Sequence, residues 1–246
     1  MVFRYKLVFE YLGTNFSGYQ VQPQKRTVQG EVEKVLSEII GETVKIYASG
    51  RTDAGVHSLG QVAHFDTEKV LNESLVKSKM SKLLPKDISL HSFSLVPSDF
   101  DARFSVKKKT YVYKFYLSRY ERAVFNGLAL RVNDNVDVCK MKDACKYLVG
   151  THDFTSFVAR KSGKTDFVRT IYSAEITESG DGLFLLRISG NGFLYNMVRI
   201  IMGTLLKIGS GDKPAEYMKE VVDGKSRALA GKTVSPCGLY MEKVEY

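Results

Sequence analysis

A chain of 246 residues with 44% apolar content can bury one large core or two medium ones without disulfide or metal staples. Its 36 Lys plus Arg against 27 Asp plus Glu leave a formal charge of +9, a surplus that favours a polyanionic partner, nucleic acid above all. The three cysteines, Cys139, Cys145 and Cys237, show neither CxxC spacing nor even pairing, which argues against a disulfide framework or zinc knuckle and suits reduced thiols in a cytoplasm.

The N-terminus, Phe3 to Tyr11, alternates apolar and charged residues from the start and reads as a strand, with no small-residue cleavage site of a signal peptide. Thr27 is placed to cap a helix from Val28 to Ile40, with Val28, Val32, Val35, Leu36 and Ile39 on one face and Gly41 just beyond. Strand patterns at Thr43 to Ser49 and Gly60 to Asp66 flank a turn bracketed by Gly50, Gly55 and Gly60, with Asp53 at its centre. Asn72 caps a second amphipathic helix carrying Leu75, Val76, Met80, Leu83 and Leu84, which Pro85 stops. A strand from Ile88 to Val96 completes a βαββαβ order, the ferredoxin-like arrangement.

The same order returns after Pro97 to Ala102. Thr110 to Leu117 is a strand with Tyr111, Tyr113, Phe115 and Leu117 on one face. Asp137 caps a helix with Val138, Met141, Cys145 and Leu148 inward. Strands Ile171 to Glu178 and Gly182 to Ser189 are joined across an Asp181-Gly182 hairpin signal. Helices from Phe193 to Ile208 and around Pro214 to Val222 precede a final strand, Gly238 to Glu245. The apolar run from Phe193 contains Asn196, Arg199 and Lys207 and is too short to span a bilayer, so no membrane segment is expected. The expectation is an α+β protein of two ferredoxin-like βαββαβ halves, residues 1–103 and 104–246, their sheets joined side by side around a cleft.

Two residues stand out chemically. Asp53 is either a carboxylate aimed into the cleft or an Asx-turn residue that satisfies backbone amides. Arg199 sits in an otherwise apolar helix, where a charge is costly unless it finds a carboxylate; Asp53 is one partner, and a surface pairing is the other reading. Basic clusters at Lys25-Arg26, at Arg103 with Lys107, Lys108 and Lys109, and at Arg160-Lys161 with Lys164 are either a nucleic-acid-binding surface or solvated faces. His57 and His64, seven residues apart on a strand pattern, fall on opposite faces, which argues against a metal site. Asp99-Phe100-Asp101 lacks a nearby third acidic ligand. No Walker-type or GxGxxG motif is present, so no nucleotide cofactor is implied.

Tyr11-Leu12-Gly13-Thr14-Asn15-Phe16-Ser17-Gly18-Tyr19-Gln20, Thr27-Val28-Gln29-Gly30, Gly50-Arg51-Thr52-Asp53-Ala54-Gly55-Val56-His57, Ala102-Arg103-Phe104-Ser105 and Tyr111-Val112-Tyr113, taken in order, resemble the signatures of the tRNA pseudouridine synthase A family. Downstream, Asp153-Phe154-Thr155-Ser156-Phe157, Gly192 to Arg199, Gly203-Thr204-Leu205 and Ala230 to Tyr240 also fit. Tyr19 departs from a tryptophan common there. The resemblance implies isomerisation of uridine to pseudouridine at positions 38, 39 and 40 of the tRNA anticodon stem-loop, with no cofactor and with a homodimer in the cytoplasm. It makes Asp53 the catalytic carboxylate, acting on C1′ or through a glycal-like intermediate. Tyr111 would stack on the target base, which is itself either that role or a core aromatic of its strand. Arg51 would occupy the space vacated by the flipped base, and Leu239 would pack around the base. Two other classes compete: an RNA-binding module, which lacks its expected aromatic-rich basic strand here, and a hydrolase using Asp53, which ordinarily needs a second, proton-donating carboxylate.

Overall fold

The computed structural model describes residues 1–159 and 166–246. Arg160, Lys161 and Lys164 lie outside the described residues. The chain divides into two compact units, residues 1–107 with 241–246, and residues 108–240. The C-terminus joins the first unit through specific bonds: the Lys107 amide donates to the Glu245 carbonyl at 2.8 Å, Ser58 Oγ to the Met241 carbonyl at 3.1 Å, and the Tyr246 hydroxyl to the Ala102 carbonyl at 2.7 Å.

The first unit runs β1 (Phe3–Tyr11), α1 (Val28–Ile40), β2 (Tyr47–Ala48), β3 (His57–Thr67), α2 (Glu73–Leu83) and β4 (Ile88–Val96). Strand β1 is central, antiparallel to β3 on one side and β4 on the other. Its alternation places Tyr5, Leu7, Phe9 and Tyr11 in the core, where Tyr5 packs against Phe65 and Phe93, themselves 6.1 Å apart. Burial of each such side chain contributes about 1.5–3 kcal/mol. Both expected caps form, Thr27 Oγ1 accepting from the Gly30 amide and Asn72 Oδ1 from the Leu75 amide. Gly41 ends α1 in the left-handed region at φ 74°.

Three details differ from the sequence expectation. Strand β2 shrinks from 43–49 to Tyr47–Ala48, because side chains of α1 take the backbone donors that a ladder would use: Ser37 Oγ accepts from the Val44 amide and Glu33 Oε1 from the Ile46 amide. Strand β3 starts at His57, ahead of Gly60, through an irregularity in its register with β1. On α2 only Val76 and Met80 are buried, while Leu75 and Leu83 are 52% and 45% exposed.

In the second unit β5 (Lys108–Leu117), β9 (Leu183–Gly190), β8 (Val168–Glu178) and β7 (Gly150–Asp153) pair in that order, all antiparallel, with β6 (Leu130–Val132) parallel to β5. Helices α3 (Val138–Cys145), α4 (Met197–Gly209) and α5 (Tyr217–Asp223) complete it, and β10 (Leu239–Glu245) starts there and ends in the first unit. The short β6 and β7 have no counterpart in the sequence reading, since runs of three or four residues carry little periodicity. The expected hairpin forms, with Gly180, Asp181 and Gly182 all at positive φ. Helix α4 begins at Met197 instead of Phe193 because Asn196 takes φ 62°, which breaks helical geometry just before it. The cysteines are unbridged, and burial pushes the Cys145 thiol up to about 12. No helix among the described residues is long and apolar enough to cross a membrane.

Candidate active site

The Asp53 turn is braced at almost every residue around its half-buried carboxylate. The Tyr11 hydroxyl and Thr52 Oγ1 share a buried hydrogen bond of 2.8 Å, and the Tyr19 amide donates to the Thr52 carbonyl at 3.0 Å. The Val56 amide closes the turn onto the Asp53 carbonyl at 3.1 Å, with Gly55 at φ 78°. Gln61 donates to the Gly50 carbonyl at 2.9 Å and accepts from Ser49 Oγ at 2.8 Å. At the far side, the Gly13 amide donates to Nδ1 of the fully buried His57 at 3.0 Å.

The segment Leu12 to Tyr19 is the brace. It lies so close to the turn that a Cβ on Gly13 would stand 2.0 Å from the Val56 carbonyl oxygen. Gly18, at φ 98°, passes the turn backbone with a would-be Cβ 3.2 Å from the Thr52 oxygen. The carbonyls of Gly18 and Tyr19 in turn receive the first amides of α1, from Val28 at 3.3 Å and Gln29 at 2.9 Å. The carboxylate loop is thus fastened to β1, β3 and the start of α1. The Tyr19 hydroxyl is buried with no hydrogen-bond partner among the described residues, and burial holds its pKa well above the ordinary phenol value.

His64 has a structural bond of its own. Its Nδ1 accepts from the Ala102 amide at 3.1 Å, as His57 accepts from Gly13, so both rings serve backbone donors. Asp101 caps the next turn, its Oδ1 receiving the Arg103 and Phe104 amides at 2.7 and 2.9 Å.

In the second unit, Arg199 is half-buried on α4 and anchored locally. Its Nε donates to the Val234 carbonyl at 2.8 Å and its terminal nitrogen to Asn196 Oδ1 at 2.8 Å. The loop carrying Val234 can reach α4 because two glycines meet there: a Cβ on Gly203 would stand 1.8 Å from the Lys232 oxygen, and the Gly231 amide donates to Thr204 Oγ1 at 2.9 Å. Tyr113 donates to the Ser235 carbonyl at 2.6 Å, and burial pushes its phenol pKa far up, with the field of Arg199 pulling the other way. Tyr111, two residues along β5, is half-buried with its ring edge-on to Phe193 at 4.9 Å. Leu239 is buried next to Gly238, whose would-be Cβ lies 2.8 Å from the Tyr113 ring. Tyr113 thereby links the Arg199 neighbourhood to the start of β10.

The basic residues divide into engaged and exposed. Arg26 is held by Asp87 through two bonds of 2.7 and 2.8 Å and by Glu31 at 3.1 Å, so that half of its cluster is an ion-pair strut. Arg51, Arg103 and Lys107 are exposed, and Arg103 lies over the ring of Phe104, itself 80% exposed. Lys108 and Lys109 are half-buried on β5.

A family model described as tRNA pseudouridine synthase matches residues 7–105 and 144–246. The chain belongs to that family. Among its relatives, the tRNA pseudouridine synthase A of Anoxybacillus flavithermus is 49% identical over 99% of this chain and 98% of that protein. The tRNA pseudouridine synthase A of Shouchella clausii is 48% identical over 96% and 90%. That of Bacillus licheniformis is 44% identical over 99% of each. A solved structure of a Cbf5–Nop10–Gar1 complex aligns at 11% identity and a TM-score of 0.35 over 96% of this chain and 48% of that one.

As a member of the tRNA pseudouridine synthase family the protein is an isomerase acting on tRNA, with the pseudouridine synthase fold. The matched spans include Arg51, Asp53, Arg103, Arg199 and Leu239, while Tyr111 and Lys107 to Lys109 fall between them. Sequence reasoning about the site missed the braces, Tyr11, Thr52 and His57 on one unit and Asn196 and Val234 on the other. The only advance signal was the density of glycine around Asp53.

The Tyr11–Thr52 bond invites a direct test. Tyr11→Phe and Thr52→Val each remove one hydroxyl at nearly constant volume and break this buried bond, so each is expected to lower kcat about tenfold and stability by about 1–3 kcal/mol. Thr52→Ser, which keeps the hydroxyl, is expected to retain most activity. Single-turnover rates on tRNA, measured with thermal melts, check this.

Proposed function

We propose that this chain isomerises uridine to pseudouridine at positions 38, 39 and 40 of the tRNA anticodon stem-loop, with Asp53 as the essential carboxylate. The observation that carries the reading is the bracing of the Asp53 loop: a carboxylate carried on a turn that bonds from β1, β3 and the approach to α1 hold in place is positioned as a reacting group must be. The reaction breaks the N1–C1′ bond, rotates the uracil, forms C5–C1′, releases the C5 proton and returns a proton to N1. Atoms and electrons balance without oxidant, water or cofactor.

In this reading the target nucleotide is flipped out of the stem-loop at a cost of a few kcal/mol, and Arg51 takes its place. Tyr111 stacks on the base and assists removal of the C5 proton, Leu239 packs beside it, and Arg199 keeps Asp53 ionised by opposite charge. The exposed Arg103 and Lys107, with Lys108, Lys109, Arg160 and Lys161, serve phosphates of the anticodon stem-loop and tRNA body. The protein acts in the cytoplasm as a homodimer, which sedimentation velocity tests.

The deciding experiment uses unmodified tRNA carrying tritium at uracil C5, with no metal or cofactor added. Isomerisation releases tritium and leaves the tRNA intact. Binding alone releases none, and a hydrolase liberates free base.

A further inference from the structure

In the first unit the chain returns to the same end of the sheet three times. Tyr11, at the end of β1, pairs with Ser58 next to the Asp53 turn on one side and with Ile88 at the start of β4 on the other. The Leu12 amide donates to the Asp87 carbonyl at 3.0 Å. The segment joining α2 to β4 therefore lies at the catalytic-loop end of this unit. Lys86, in that segment, borders a hollow lined also by Tyr11, Leu12, Ser58 and Leu59.

From that point a line of positive charge leads away along α2. Lys79 and Lys82, three residues apart within α2, are neighbours on one helical face, and Lys86 follows just past the helix end, after the extended Leu84 and Pro85; all three are exposed. Over residues 74–86 there are four lysines, Lys77, Lys79, Lys82 and Lys86, and no acidic residue. None of Lys79, Lys82 and Lys86 makes an ion pair or side-chain hydrogen bond among the described residues. The contrast is local. Arg26, at the same end of the unit, is neutralised by Asp87 and Glu31, and Lys69 is paired with Glu42 at 3.5 Å. Lysines that stay unpaired in a row starting beside the reactive loop present a track for a polyanion entering or leaving that loop.

We infer that Lys86, Lys82 and Lys79 form a phosphate-binding track for the tRNA backbone beyond the flipped nucleotide. The inference rests on the tRNA reading proposed above and assigns part of the RNA footprint to a helix face outside the clusters already named. The occupant is the substrate's own backbone, since a polyanion with regularly spaced charges fits a row of point-charge donors and needs no shaped pocket.

The test compares two triple variants of equal net charge. One is Lys79→Gln, Lys82→Gln and Lys86→Gln; the other is Lys34→Gln, Lys45→Gln and Lys77→Gln, all exposed and off this row. Full-length tRNA binding is titrated against salt. Removing the track is expected to flatten the slope of log K against log[salt] by about 2 to 3, at about 0.7–0.9 per lost contact. The control triple is expected to keep the parent slope. Equal slopes for the two triples, whether from an equal loss or no loss, overturn the track. Tritium release by the parent protein is measured alongside: if the parent releases none, the proposed function fails, whereas release by the parent with equal slopes overturns the track alone.

Discussion

Asp53→Asn is expected to abolish tritium release from C5-labelled tRNA while leaving tRNA affinity within about twofold of the parent, because affinity comes chiefly from phosphate contacts. The substitution is nearly isosteric. The bond that closes the turn uses the Asp53 backbone carbonyl and the Val56 amide, and the flanking bonds use Thr52, Gly50 and His57, so none of them requires the carboxylate. What the amide cannot supply is a charged oxygen for the sugar. Loss of such a group in enzymes that depend on one lowers turnover by about 10⁴-fold or more. Removing one negative charge from a surface that binds a polyanion will, if anything, tighten binding. The measurement is a paired one, single-turnover release against filter binding at the same salt. Undiminished turnover would sink the role of Asp53; lost binding with a normal melting temperature would make it an RNA contact instead.

How much of this was readable in the sequence depended on the range of the interactions. The caps at Thr27 and Asn72 and the alternation of β1 are decided within a few residues, and they formed as expected. Strand β2 was over-read because its apolar pattern is real, yet Val44 and Ile46 are buried in a segment whose amides go to Ser37 and Glu33 of α1, which local pattern cannot foresee. Leu75 and Leu83 were assigned inward for the same reason: helical spacing names a face, and only packing decides its width. The turn holding Asp53 was legible from its glycines. Its braces were not, since Tyr11 and Thr52 are 41 residues apart, and a tyrosine on an alternating strand reads as core whether or not its hydroxyl finds a partner. Arg199 stood out as a charge in an apolar helix, but its carbonyl acceptor, Val234, lies 35 residues on and comes within reach only where Gly203 and Gly231 allow two backbones to touch.

Gly13→Ala tests whether bracing of the turn matters to chemistry as well as to folding. Its added methyl would stand 2.0 Å from the Val56 carbonyl oxygen and 2.5 Å from its carbon, both backbone atoms, so neither can rotate away. Segment 12–13 and residue Val56 must separate by more than an ångström, and the Gly13 amide then loses Nδ1 of His57, whose burial at 0% exposure keeps bulk water from replacing that bond. Overpacking costs about 1–3 kcal/mol and an orphaned buried polar group about as much again. That is a large share of the 5–15 kcal/mol typical of a domain, but it leaves the protein folded at low temperature. Val56 is also the residue whose amide closes the turn on Asp53, so its displacement carries the carboxylate with it. A misplacement of this size lowers turnover about 10²-fold. Gly41→Ala separates the two effects. Gly41 lies at the other end of α1, and a Cβ there meets only Lys69 Nζ at 4.0 Å, so the strain comes from φ 74° alone and amounts to about 1–2 kcal/mol. It is expected to lower the melting temperature with kcat unchanged. Rates for both variants, taken well below their melting temperatures, decide the matter: a Gly13→Ala enzyme that is folded and turns over at the parent rate would show that the Asp53 loop keeps its catalytic geometry without this brace.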